Sequence, residues 1–167
     1  MLKELGKYKD KLSSILIGDE YIPRLLLEDA SGLSNDMIAA KARKNICPHL
    51  YVEPAASEPD CYIFLETDVA KTTPSTKTIK IVIQPVCHKD ILTVQNGPAV
   101  YYGTRYDMLA ERIDELLCPA DKLPARQRQK EFGIGLPELQ SVETFTSGLW
   151  IGRKMTYLVP DFRRKKG

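Results

Sequence analysis

The sequence predicts an α+β domain: a mainly antiparallel four-stranded sheet made of two hairpins, one long helix packed across it, and short N-terminal helices. Three observations lead there. Apolar residues at Tyr106, Leu109, Ala110, Ile113, Leu116 and Leu117 recur in steps of three, four and seven, which is one face of a helix. Before them, "TIKIVIQPVCH" sets Ile79, Ile81 and Ile83 on one side of a strand and Thr78, Lys80 and Gln84 on the other, interrupted by Val82. After them, two further strand-like runs flank Ser147-Gly148. Helices, strand, strand, helix, strand, strand is the order of an α+β chain.

The elements follow in order. Leu2, Leu5, Leu12, Ile15 and Leu16 share a helical face, and Gly18 suits a left-handed cap at its end. Asp19 can cap the short segment "EYIPRLLLED", whose Pro23 falls in the first turn. Ser34 is the expected N-cap of a third helix, "SNDMIAAKARKNI". The passage "CPHLYVEPAASEPD" holds three prolines in 14 residues and reads as an extended connection. "CYIFLETDV" is a strand by composition, and the polar turn region "KTTPSTK" joins it to the Ile79 strand. Asn96-Gly97 marks a turn in a small excursion before the long helix. Thr104 with Asp107 makes a near capping box for that helix, and Pro119 stops it. "ELQSVETFTS" and "LWIGRKMTYLVPDF" supply the second hairpin. Residues 1–167 are read as a single domain: an N-terminal helical part (1–46), a sheet-plus-helix core (61–162) and a basic tail (163–167).

Totals exclude several classes. The 167 residues suffice for a sizeable core. A net charge of +2 gives no global pull toward nucleic acid. No run reaches the roughly 18 apolar residues of a membrane span, and "MLKELGKYKDKL" is too polar for a secretory signal. Cys47, Cys61, Cys87 and Cys118 form no CxxC pair, so the expectation is a reducing compartment with free, packed thiols.

Catalytic chemistry finds weak footing. Cys47 with His49 and Cys87 with His88 are zinc-ligating types, but the spacing is poor, and Cys87 and His88, adjacent on a strand, point to opposite faces. No G-x-S-x-G elbow appears, and "EFGIGLP" lacks a phosphate-binding lysine. Pro59-Asp60 ahead of Glu66 and Asp68 is the outline of a small Mg²⁺-dependent nuclease, without its lysine; such carboxylates more often polarise a solvated strand end. The loop residues Lys122, Arg126, Arg128 and Lys130, with Arg163, Arg164, Lys165 and Lys166, are able to meet phosphates or an acidic protein surface. In a lone monomer they are a solvated loop and a tail. No aromatic residues interleave with them to stack bases.

From residue 2 to 162 the layout resembles the tail-terminator and neck proteins of long-tailed phages. The pieces that carry the likeness are "DEYIPRLLL", "YVEP", "YIFLETDV", "TIKIVIQPVCHKD", "YYGTRYDMLAERIDELL", "FGIGLPEL" and "GRKMTYLVPDF". The resemblance implies a non-enzymatic virion protein of the neck, made in the host bacterial cytoplasm. It would form a ring, commonly hexameric, that caps the tail tube and joins it to the head connector or stopper. It implies no cofactor, catalytic residue or metal. Its interaction residues, toward partners or toward DNA in the channel, would be Lys71, Lys77, Lys122, Arg126, Arg128, Lys130, Arg163 and Arg164. A stopper or adaptor role in the same neck, a small nuclease and a soluble regulatory binding module stay open.

Overall fold

The computed structural model describes residues 2–54, 58–95, 97, 100–119 and 136–162, the last two by their backbone alone. Among these, helices α1 (Lys3–Ile17), α2 (Ile22–Leu26) and α3 (Asn35–Arg43) precede strands β1 (Ile46–Cys47), β2 (Cys61–Thr72) and β3 (Thr76–His88). Helix α4 (Arg105–Leu117) and strands β4 (Glu138–Ser147) and β5 (Trp150–Phe162) follow. The strands form one sheet in the order β1-β2-β3-β5-β4. Both expected hairpins are present, and β3 and β5 join them antiparallel.

The expected sheet differs in one respect. A fifth strand, β1, runs parallel to β2, with Ile46 opposite Ile63 and Cys47 opposite Phe64. Two residues carry no readable alternation, so only the pairing partner reveals them. The helical layer is also richer than one long helix with short companions: α1 has 15 residues and α4 has 13.

Local signals explain the element ends. Thr104 and Asp107 form a full capping box on α4. Ser34 Oγ accepts from Met37 N–H at 3.3 Å, as an N-cap does. Asp19 Oδ2 accepts from both Tyr21 and Ile22 N–H at 3.0 Å and starts α2. Gly18 is a correction: its φ is −77°, not left-handed. Its N–H still bonds Ser14 O at 2.9 Å, so α1 runs directly into the Asp19 turn. A left-handed glycine is instead used at Gly148, φ 57°, in the two-residue turn between β4 and β5.

Alternation divides the sheet into two sides. On the helix side lie Ile63 and Leu65 of β2, Ile79, Ile81 and Ile83 of β3, and Met155, Tyr157 and Val159 of β5. Leu12, Leu16, Ile22, Leu26, Leu109, Ile113 and Leu117 pack onto them, so the N-terminal helices and α4 share one core. Each such aliphatic side chain contributes roughly 1.5–3 kcal/mol by burial. The buried stripe of α4 is turned from the expected one. Arg105 and Met108 are buried, whereas Tyr106 and Leu116 are half-buried. Polar ties fix the docking: Tyr157 Oη donates to Asp114 at 2.8 Å, and Arg112 grips Asp19 with contacts of 2.6 to 3.2 Å.

The free-thiol expectation is corrected for one pair. Cys61 and Cys87 face each other across β2 and β3, with Cα atoms 4.1 Å apart, and are joined in a disulfide. Direct cross-strand neighbours bring their Cβ atoms close enough for this. Cys47 and Cys118 are free.

Candidate functional site

The surface that stands out is β4. Helix α4 packs on β3 and β5. Its residues are exposed from Glu138 to Thr144 and at Thr146, and only Phe145 and Ser147 are half-buried. Among the described residues both faces of this strand are therefore open from Glu138 to Thr144. On the helix side, Leu139 and Val142 are 39% and 48% exposed. Among the described residues β4 has one strand neighbour, β5, so its outer N–H and C=O groups form a free edge. A register shift between Leu139 and Ser141 bends the strand near its start. From Ser141 to Ser147 the strand is regular and carries no lysine or proline, the usual guards of an edge.

The far end of β4 is anchored. On the side of the sheet away from the helices, Phe64, Val86 and Trp150 are buried, with Tyr51, Tyr62 and Phe145 packed against them. Tyr51 belongs to the proline-rich connection, which here lies over the sheet. Its N–H donates to Gln84 Oε1 at 3.1 Å, and its ring meets Phe145 at 4.6 Å and Phe64 at 5.3 Å. On the helix side, Arg153 links β4 to α4, donating to Thr144 at 2.9 Å and to Asp107 at 2.8 and 3.0 Å. The strand is thus a rigid rail at its Phe145 end and an open edge along the rest.

A family model described as YomW matches residues 19–159. The chain belongs to the YomW family. YomW is a phage-associated name. No curated protein matches the chain. The YomW match opens at Asp19, the carboxylate held by Arg112, and runs through both hairpins to Val159 on β5. The β4 edge lies wholly within the YomW span, while α1 lies before it.

The residues singled out from the sequence fare differently. Lys71 is exposed near the end of β2. Lys77 is no surface cation: it is 3% exposed, and its ammonium pairs with Glu4 at the start of α1. Position 77 follows the β2–β3 turn, but its strand side points it under α1. Lys122, Arg126, Arg128, Lys130, Arg163 and Arg164 lie outside the described residues.

The nuclease carboxylates do not converge. Asp60 and Glu66 sit six residues apart along an extended strand, about 20 Å. Asp60 Oδ1 accepts from Asn45 Nδ2 at 2.7 Å and from Cys61 N–H at 2.8 Å, clamping β1 to β2. Burial would raise the Glu66 carboxyl, but Lys9 and the Thr67 N–H hold it below the usual carboxylate range. Asp68 is exposed beyond it. The zinc-type residues are also apart. Cys87 is in the disulfide, and His88 Nδ1 accepts from Asp90 N–H at 3.2 Å with its ring edge-on to Trp150. His49 lies against Phe64. Among the described residues no three metal-ligating side chains come together.

Sequence reasoning missed one important group. Arg105 opens α4 and looks like a solvated helix-end cation, yet it is 3% exposed. Its Nε donates to Ile91 O at 2.9 Å, and its Nη1 donates to Leu25 O at 2.8 Å and Leu27 O at 3.0 Å. Only its i+4 neighbour Leu109, apolar and buried, hinted that this helix position faces inward.

Proposed function

We propose that the chain is a non-enzymatic structural subunit of the phage head–tail junction, assembling into a ring that caps the tail tube and joins it to the head connector or stopper. The observation that carries this reading is the β4 edge, which among the described residues has no outer strand neighbour and leaves Leu139 and Val142 exposed. A strand of this kind recruits another strand through its backbone and buries its apolar side chains in doing so. Membership in a phage-associated family supports the same setting. In the ring, β4 supplies one half of the contact between successive subunits. The other half differs from it, as a heterologous contact that closes by rotation requires. Of the basic residues, Arg126 and Arg128 are assigned to a neighbouring neck protein or to DNA in the channel.

The test is assembly. Purified chain, alone and beside tail-tube protein, is weighed by native mass spectrometry and imaged by electron microscopy. Rings are expected for the wild type. Val142→Lys puts a charge on the open edge at an already exposed site, so it should leave the circular dichroism spectrum unchanged and abolish the rings. Arg126→Glu with Arg128→Glu should spare folding and impair joining of heads to tails. A wild type that stays monomeric beside tail-tube protein, or Val142→Lys rings like those of the wild type, would sink the reading.

A further inference from the structure

The sheet has a second open stretch of strand, on the edge opposite β4. Strand β1 pairs with β2 only at Ile63 and Phe64. Next along β2, α1 meets Glu66 and Thr67: Lys9 pairs with Glu66, and Thr67 Oγ1 donates to Leu5 O at 2.9 Å. Beyond them Asp68, Ala70, Lys71 and Thr72 are exposed and Val69 is half-buried. Among the described residues no strand borders this stretch on its outer side.

The two edges run in opposite senses. Strands β2 and β3, β3 and β5, and β5 and β4 are each antiparallel, so β4 points against β2. Subunits joined edge to edge in a ring turn about an axis inclined to the strands as in a barrel, and that rotation keeps both the strand direction and the side on which the helices lie. The β2 of the next copy therefore reaches β4 antiparallel, helix side to helix side.

The side chains match on both sides of the sheet. By alternation from Phe64 and Val86, Glu143 and Lys71 stand on the side away from the helices. Lys154 lies directly across from Glu143, so Lys71 of the next copy would continue a row of alternating sign. Asp68, the acid of the same stretch, has Lys80 directly across from it. A second β4 offers Glu143 no such partner, since that strand holds two glutamates and no cation. On the helix side, Leu139 and Val142 are exposed, and Val69 packs against the rim of the core. Leu2 is 69% exposed and lies one turn before Leu5, at the end of α1 where Glu4 pairs with Lys77 across from Thr72.

We propose that the surface meeting β4 is the Asp68–Thr72 edge of β2 on a second copy of this chain, with Glu143 beside Lys71, and with Leu139 and Val142 against Val69 and Leu2. The inference rests on the ring reading above and adds the identity of its second surface.

Charge reversal tests it on the full chain. Lys71→Glu and Glu143→Lys change exposed residues, so each should leave the thermal midpoint near that of the wild type. Each should weaken assembly roughly tenfold or more in mass photometry, because like charges then face each other. The two changes carried together should restore rings. In a second measurement, p-benzoylphenylalanine replaces exposed Ser141, and this chain is mixed with isotope-labelled wild type and irradiated. Peptide masses are expected to place the adducts on the labelled copy's segment around Lys71. Wild-type rings with adducts on the neighbour's β4 or elsewhere, Lys71→Glu rings like those of the wild type, or a double variant no better than the single ones overturn this pairing and leave the ring reading standing. A wild type that stays monomeric beside tail-tube protein overturns both.

Discussion

Gly152→Ala should be among the most damaging single-methyl changes this chain can suffer. Gly152 lies on β5 opposite Val86 of β3, at the centre of the sheet. A Cβ there would collide with the Pro85 carbonyl oxygen and come within 2.9 Å of Val86 Cα and 3.0 Å of Pro85 C. All three atoms are backbone, so no side chain can swing aside. Clearing the oxygen requires β3 and β5 to part by on the order of 1 Å, against a normal spacing of about 4.8 Å. A ladder bond of about 2.9 Å stretched that far is no longer a bond. Losing two such bonds contributes about 2 kcal/mol, and overpacking a core adds about 1–3 kcal/mol. The expected loss is thus about 4 kcal/mol, a large share of a typical domain's stability of about 5–15 kcal/mol. Urea unfolding followed by tryptophan emission measures it directly. The sole tryptophan, Trp150, is 2% exposed and two residues from the substitution. The control is Gly6→Ala in the first turn of α1, where nothing lies within 4 Å. It should gain about 0.5–1 kcal/mol. A Gly152→Ala loss under about 1 kcal/mol would mean that β3 and β5 do not approach as described.

Asp19→Asn should cost about 2 kcal/mol at neutral pH, since it removes a charge-assisted grip by Arg112. Burial pushes the Asp19 carboxyl up, but Arg112 and the N–H groups of Ile22 and Tyr21 hold it below its usual range. A depressed folded pKa adds stability above the unfolded value of about 4 that is lost as pH falls through the folded value. The gap between wild type and variant, measured by thermal unfolding, should therefore narrow below pH 4; a constant gap would contradict the pairing. Alkylation of the chain denatured without reductant should add two labels, at Cys47 and Cys118, and mass spectrometry would expose the alternative of four. Reduction should then lower stability by about 2–4 kcal/mol.

What the sequence reveals and what it hides follow a physical boundary. Ser34, Asp19 and Thr104 were readable as caps because each acts on N–H groups two or three residues away. The hairpins were readable because alternation and the polar turn are local. The β2–β3 connection proved tighter than the polar stretch suggested, since Thr73 and Thr76 close it on each other by a 2.8 Å backbone bond. Apart from Gly18, whose conformation is set by the adjacent Asp19 turn, the misses depend on distant chain. Ile46–Cys47 becomes a strand only through β2, and Lys77 is buried only because α1 brings Glu4 over it. Cys61 and Cys87, separated by 26 positions, meet only once the register is set. The inward turn of Arg105 depends on three carbonyls from two other segments. The candidate edge was legible as a strand but not as an edge, because strand order cannot be read from alternation.

The two ends of the sheet are managed differently, and that contrast bears on the proposed assembly. At the β2 end, β1 covers Ile63 and Phe64, and beyond them α1 takes over. Thr67 Oγ1 donates to Leu5 O at 2.9 Å, and Lys9 pairs with Glu66. Around Glu66 and Thr67 that side of the sheet therefore meets the chain's own N-terminal helix, while Asp68, Lys71 and Thr72 beyond them are exposed. At the β4 end the described chain offers no such cover, although Phe145 and Arg153 hold the strand firmly in place. Ordering a strand that buries little of itself returns few of the contacts that normally offset its lost entropy. A partner strand on β4 would supply them by pairing the free backbone and covering Leu139 and Val142. A ring then needs a second, different surface of the next subunit against β4, because β4 paired with β4 alone closes as a two-fold dimer. In this reading the N-terminal helix sits beside the middle of β2, and β4 is the strand that the next subunit completes.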